Sequence, residues 1–194
     1  MGSLPVAYLA LVVAVALQRI VELAWSRRNL RGRELDPRQV AEGRGAYAAM
    51  VAVHVALLVC PLLEVAIFGV RAPPWVTLAA AGVFAGAQAL RIWALTSLGR
   101  TWNTRAAVDP DTAVVATGPY RHIRHPNYLA VLLEFVSLPA IAGAWLSLAL
   151  LNLIHAPILA RRIRGEEALL ERLPQYAARM AGKGRFLPRG RGAP

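Results

Sequence analysis

The feature that most restricts this chain is a succession of long apolar runs, at residues 4–25, 45–70, 75–98 and 128–160. A bilayer core takes about 20 apolar residues as a helix, so each of the first three runs reads as one span. Backbone in lipid must satisfy its own hydrogen bonds, and short runs of this kind do so as helices. The fourth run is too long for one simple span. Pro139 and Gly143 interrupt it, which predicts a hairpin with a fourth helix ending at Leu138 and a fifth starting near Ala144. The expected fold class is therefore an all-α integral membrane protein of about five transmembrane helices, the last two a helical hairpin.

Charge falls between the runs. Residues 26–44 hold six arginines, and residues 99–128 and the segment after Ala160 are also basic. The ends of the spans on the other side carry little charge beyond Arg71. Basic loops mark the cytoplasmic side, which puts the N-terminus outside and the three basic segments together inside. The net charge of +11 is thereby an orientation signal, and no nucleic-acid partner is expected. Cys60, the lone cysteine, excludes an intrachain disulfide and reads as a small apolar residue.

Several polar residues interrupt the apolar runs, where they are costly. Arg19 and Glu22 share a helix face, either as a neutralised pair or as a polar wall. Tyr47, Met50 and His54 lie on one stripe of the second span, suited to a substrate entrance. Gln88 and Arg91 share a face of the third, where Arg91 can snorkel to the interface. Gly82 and Gly86 read as a contact surface within the bundle. Glu134, Asn152 and His155 are expected inside the hairpin, the last two satisfying one another. Residues 161–167 read as a continuation of the fifth helix, with a weak apolar face at Leu169, Leu170 and Leu173. Residues 182–194, rich in Gly, Pro and Arg, read as a loose end.

The stretch 99–128 is the polar exception: it holds Arg100, Trp102, Asn103, Arg105, Tyr120, Arg121, His122, Arg124, His125, Asn127 and Tyr128. No GxGxxG follows a strand and no GxxxxGK[ST] occurs, so the common nucleotide loops are absent. No serine lies in the stretch and no GxSxG occurs in the chain. His122 and His125 lack the Cys and carboxylate company of a metal site, and none is expected. What remains is a site for a charged organic cofactor beside a bilayer. Arg and His bind carboxylate or phosphate, tyrosines stack on a purine or a cation, and Glu166 or Glu167 accepts from a ribose or an ammonium. S-adenosylmethionine and NADPH both satisfy this inventory.

Gly118-Pro119-Tyr120, then Arg121-His122-Ile123-Arg124-His125-Pro126-Asn127-Tyr128, then an apolar hairpin and Arg162-x-x-x-Glu166-Glu167 resemble the isoprenylcysteine carboxyl methyltransferase family. The likeness covers residues 99–188. Arg19-x-x-Glu22-Leu23, Ser26-Arg27-Arg28-Asn29 and Tyr47-x-x-Met50-Val51-x-x-His54 extend it, as a bacterial branch, over nearly the whole chain. Phospholipid N-methyltransferases and sterol-reductase-like proteins carry versions of the same RHP-x-Y segment.

The resemblance implies one domain over 1–194: a three-helix substrate-side half (1–98), a cofactor-binding half (99–188) with a cytoplasmic loop and a C-terminal helix, and a loose tail (189–194). It implies S-adenosylmethionine as cofactor, held by Val114, Val115, Tyr120, His122, Arg124, His125, Pro126, Asn127, Tyr128, Glu166 and Glu167, with Thr112 standing where eukaryotic members carry histidine. Arg162 matches the arginine tied to substrate. The expected reaction is O-methylation of a lipophilic acceptor, a phenolic or pyrone lipid or a prenylcysteine-type carboxylate, in a bacterial inner membrane. A carboxylate is ionised at neutral pH and needs only a cation such as Arg162. A phenol, with a pKa near 10, needs help, for which His54, Glu134 and His122 are candidates. An amine acceptor or an NADPH-dependent reduction is the alternative.

Overall fold

The computed structural model describes residues 5–32, 36–41, 43–109 and 113–189; Thr112 and residues 190–194 lie outside them. The described residues form six helices: α1 (Val6–Asn29), α2 (Arg44–Phe68), α3 (Pro74–Leu98), α4 (Pro126–Ala142), α5 (Trp145–Leu170) and the short α6 (Tyr176–Met180). None of them forms a strand beyond an isolated bridge between Val40 and Ala107.

Helices α1, α2, α3 and α5 are each long and apolar enough to cross a membrane. Their outward faces make the same point. On α2, Val51, Val55, Val59, Leu63 and Ile67 are all exposed, a stripe at four-residue spacing that water would penalise heavily and lipid covers. The protein is an integral membrane protein. The 17-residue α4 is the shortest of the long helices and the most enclosed. It packs against α3, α5 and α2, and Glu134, Phe135 and Leu138 are fully buried in it.

The break expected at Pro139 does not occur: α4 runs through that proline to Ala142. A helical proline leaves the carbonyl four residues earlier without its donor, here that of Phe135. The Asn152 side chain on α5 donates to that carbonyl at 2.9 Å, so the gap is filled from the neighbouring helix. Asn152 is thus not the partner of His155, contrary to expectation. The turn falls instead at Gly143, whose φ of +73° is left-handed and whose added Cβ would enter the Arg71–Ala72 backbone.

The hairpin tip is capped from three other helices. The Tyr8 hydroxyl donates to the Leu138 carbonyl at 3.1 Å and Thr77 to that of Ile141 at 3.1 Å. Glu64, near the far end of α2, accepts from the Leu146 and Ser147 amides (3.0 and 2.7 Å) and the Ser147 hydroxyl (2.6 Å). It is the N-cap that α5 lacks locally. Glu64→Ala should destabilise the protein by about 1–3 kcal/mol, the cost of leaving buried donors unmet. A lowered thermal midpoint in detergent, partly restored in Glu64→Gln, is the expected result; an unchanged midpoint would remove the capping role.

Two further expectations are corrected. Gly82 and Gly86 face outward, with nothing near an added Cβ; α3 buries Ala80, Phe84, Ala87, Arg91 and Ala94 instead. The chain after Gly182 is not loose as far as it is described. Gly184 and Arg185 accept, through their carbonyls, from the amides of Arg124 and His125, each at 2.9 Å.

Candidate active site

The polar stretch folds back onto the basic ends of the helices. Ser26 at the end of α1 accepts from the Thr104 amide at 2.9 Å. Asn29 donates to the carbonyls of Gly99 (3.0 Å) and Trp102 (2.7 Å). Asn103 Oδ1 accepts from the amides of Arg105 and Ala107. Together these hold Ala106 at a φ of +48°, a strained value for a residue with a side chain. The segment Asp36–Ala41 pairs with this loop, and Gly165 of α5 lies so close to Ala41 that a Cβ would meet its carbonyl oxygen.

Beneath the loop lies a cavity of about 450 Å³. At its centre the Tyr128 hydroxyl donates to Glu166 and accepts from Arg162 Nε at 3.1 Å. Arg162 Nη2 donates to the Thr104 carbonyl at 2.7 Å. The Tyr47 hydroxyl lies 3.3 Å from Thr104 Oγ1, and the Arg105 guanidinium caps the Tyr47 ring at 4.4 Å. Helices α2, α4 and α5 and the loop therefore meet at one point.

Adjacent carboxylates diverge here because consecutive helical residues are about 100° apart. Glu166 lines the cavity; Glu167 does not. Glu167 turns towards the RHP segment and the tail, receiving His125 Nε2 at 3.1 Å, Arg124 at 3.3 Å and the Arg185 guanidinium. Three cationic or donor groups thus surround its carboxylate, an anchor built from charge. Lys183 donates to the Tyr120 carbonyl at 2.9 Å, completing a strap that fixes the segment's position.

Tyr120, Arg124, His125, Asn127 and Tyr128 all line the cavity, as do Val114 and Val115. Val114 and Tyr120 pack with Leu173, Tyr176 and Met180 into an apolar roof, tied down by Arg179 donating to the Val114 carbonyl at 2.9 Å. Burial, reinforced by Glu166, raises the Tyr120 phenol's pKa and keeps it protonated. Among the described residues Asn127 Oδ1 is buried with no hydrogen-bond partner. It is an acceptor awaiting a donor.

Of the other residues singled out from sequence, His122 is exposed and outside the cavity, and Pro126 is buried as the first residue of α4. Glu134 lies beside the cavity, fully buried, accepting from Arg19 at 2.5 Å and Gln88 at 2.7 Å. His54 lines the deep part. Arg91 does not snorkel: it is buried and binds Glu22 through two bonds of 2.7 and 2.6 Å. Among the described residues no cluster of three His, Cys, Asp or Glu side chains could hold a metal ion. Sequence reasoning missed Arg185 and the pairing of Glu22 with Arg91, since nothing local marks partners on distant elements.

The cavity also extends to the outer face of the bundle. Ile20, Val51 and Val55 line it and are at the same time exposed on the outer surfaces of α1 and α2. A bundle of membrane helices thus holds one chamber, roofed by the 99–128 stretch and α6 and walled in part by residues exposed on the bundle's outer face. The sequence matches the model of the isoprenylcysteine carboxyl methyltransferase (ICMT) family over residues 78–172, from within α3 through the Glu166–Glu167 pair. It is also 31% identical over 161 residues to the uncharacterized protein YpbQ of Bacillus subtilis (strain 168), covering 83% of this chain and 95% of that protein. The chain belongs to the ICMT family, and with it to the membrane methyltransferases.

Proposed function

We propose that the protein is an S-adenosylmethionine-dependent O-methyltransferase acting on a lipophilic acceptor. The single observation that carries this reading is the Arg162–Tyr128–Glu166 cluster, which faces one chamber lying between the apolar roof and the outward-facing residues of α1 and α2. The chamber's donor set fits the cofactor. Asn127 Oδ1 is an unmet acceptor for an amine, Glu166 an acceptor for a ribose or an ammonium, and Arg124 and His125 suit a carboxylate. The apolar roof of Val114, Leu173, Tyr176 and Met180 suits a flat base. When bound there, the cofactor supplies an electrophilic methyl group.

The chain's own residues then do three things. Arg162 orients the acceptor oxygen as its anion, a phenolate, an enolate or a prenylcysteine-type carboxylate, by charge and hydrogen bonding; the guanidinium favours ionisation of a hydroxyl, whose proton passes to solvent before the methyl group is transferred. Tyr128 fixes Arg162 and Glu166 relative to each other. The apolar wall formed by Met50, Val131 and Leu159 excludes water, so the acceptor is held aligned and desolvated. Five crossings, with the N-terminus outside and the roof on the cytoplasmic face of a bacterial inner membrane, follow from the arginine distribution under this reading.

The test is transfer of a labelled methyl group by detergent-purified protein to a farnesylated cysteine and to a long-chain phenol. Label in either acceptor supports the reading; cofactor binding with no label in either would remove the acceptor assignment.

A further inference from the structure

Three helices of the chamber repeat the same arrangement one heptad apart. Tyr47 on α2, Tyr128 on α4 and Arg162 on α5 make the upper layer, meeting at Thr104 and at the Tyr128 hydroxyl. Seven residues away along each helix lie His54, Phe135 and His155. These rings also touch: His54 is edge-on to Phe135 at 5.1 Å and to His155 at 5.7 Å, and Phe135 stacks on His155 at 3.8 Å. Seven helical residues rise ~10 Å, so the second layer lies that far into the membrane.

Of this layer only His54 lines the chamber. Its orientation and tautomer are set by the backbone. Nδ1 lies 2.8 Å from the Met50 carbonyl oxygen, and a carbonyl only accepts, so Nδ1 carries the proton. In the neutral imidazole that leaves Nε2 as a pure acceptor. No described residue donates to it. Arg19, Glu22 and Arg91 line the chamber beside it, so its floor is polar at a depth where a hydrocarbon tail would find only lipid-like walls elsewhere.

We infer that His54 is a specificity-determining residue: its Nε2 accepts a hydrogen bond from a hydroxyl on the acceptor, on the side away from the methylated atom. This rests on the methyltransferase reading, with transfer in the upper layer. The layer spacing of ~10 Å, less a hydrogen bond of ~3 Å at His54, leaves ~7 Å up to the Arg162 layer, room for one six-membered ring carrying two oxygens in a 1,3 relation. A thioether chain ending in a carboxylate presents hydrocarbon at that depth and leaves His54 unmet.

The experiment compares kcat/KM for a long-chain 1,3-dihydroxybenzene and its monohydroxy counterpart, in the wild type and in His54→Phe, with S-adenosylhomocysteine binding measured on both proteins. The expected wild-type ratio is about 10- to 100-fold in favour of the dihydroxy ring, the effect of leaving one buried acceptor unmet, collapsing to near unity in His54→Phe. His54→Gln, which keeps an acceptor, should restore part of the ratio. A wild-type ratio near unity, an equal loss on both acceptors in the variant, or methylation of neither ring by cofactor-binding protein would overturn the inference. Absent cofactor binding in the wild type would instead overturn the reading on which it rests.

Discussion

Glu166→Ala should lower kcat/KM for methyl transfer by about 10- to 100-fold, since a hydrogen bond to a charged group contributes about 1.5–3 kcal/mol and each 1.36 kcal/mol is tenfold in rate. The effect is expected at the upper end because the carboxylate has two tasks. It faces the chamber, where the cofactor's donors are expected, and it accepts the Tyr128 hydroxyl that also meets Arg162. Its removal frees Tyr128 and disturbs the guanidinium that orients the acceptor. Tyr128→Ala should have a comparable effect by the same route. Glu166→Ala should keep the wild-type thermal midpoint within a few degrees, as Glu166 belongs neither to the capping network of the hairpin nor to the buried core, whereas Tyr128→Ala empties a core ring position and should lower it; Tyr128→Phe keeps the ring and isolates the loss of the hydroxyl. Unchanged turnover in both would contradict the site. Glu167→Ala is the control for position: its carboxylate faces the strap, so it should loosen cofactor affinity through Arg124 and His125 rather than remove a direct contact.

The second large effect concerns stability. Glu22→Ala should destabilise the protein by about 3–5 kcal/mol, the cost of removing one partner of a buried ion pair. Arg91, 6% exposed, would lose both of its bonds to Glu22, and Arg19 would lose one at 2.7 Å. Glu134 would then face two guanidiniums alone, with Arg91 already 3.7 Å away. The double variant Glu22→Ala/Arg91→Met removes the stranded charge and should recover much of the loss. Thermal unfolding in detergent gives both values. Equal destabilisation of the single and double variants would show that the pair's charge is not what the bundle depends on.

The spans were legible because lipid demands apolarity over whole turns, and no tertiary context overrides it. Their ends were less so. Pro139 signals a stop to any local reading, and only the Asn152 amide on another helix explains why α4 continues. The polar residues of the RHP segment were visible as a cluster, and most of them do line one chamber. The choice between Glu166 and Glu167 was not visible, because a 100° difference in direction depends on how α5 is rotated in the bundle. Arg91 resembled an interface residue because its partner lies 69 positions away. Arg185 sat in a tail whose Gly, Pro and Arg content reads as loose, although the Gly184 and Arg185 carbonyls, the Lys183 ammonium and the Arg185 guanidinium all hold the segment in place.

The most direct measurement is calorimetric titration of the detergent-purified protein with S-adenosylhomocysteine and, in parallel, with NADPH. Binding of the former, lost in Glu166→Ala, with no heat from the latter, is the predicted result. Binding of NADPH alone would contradict the account and make the same chamber the site of a reductase.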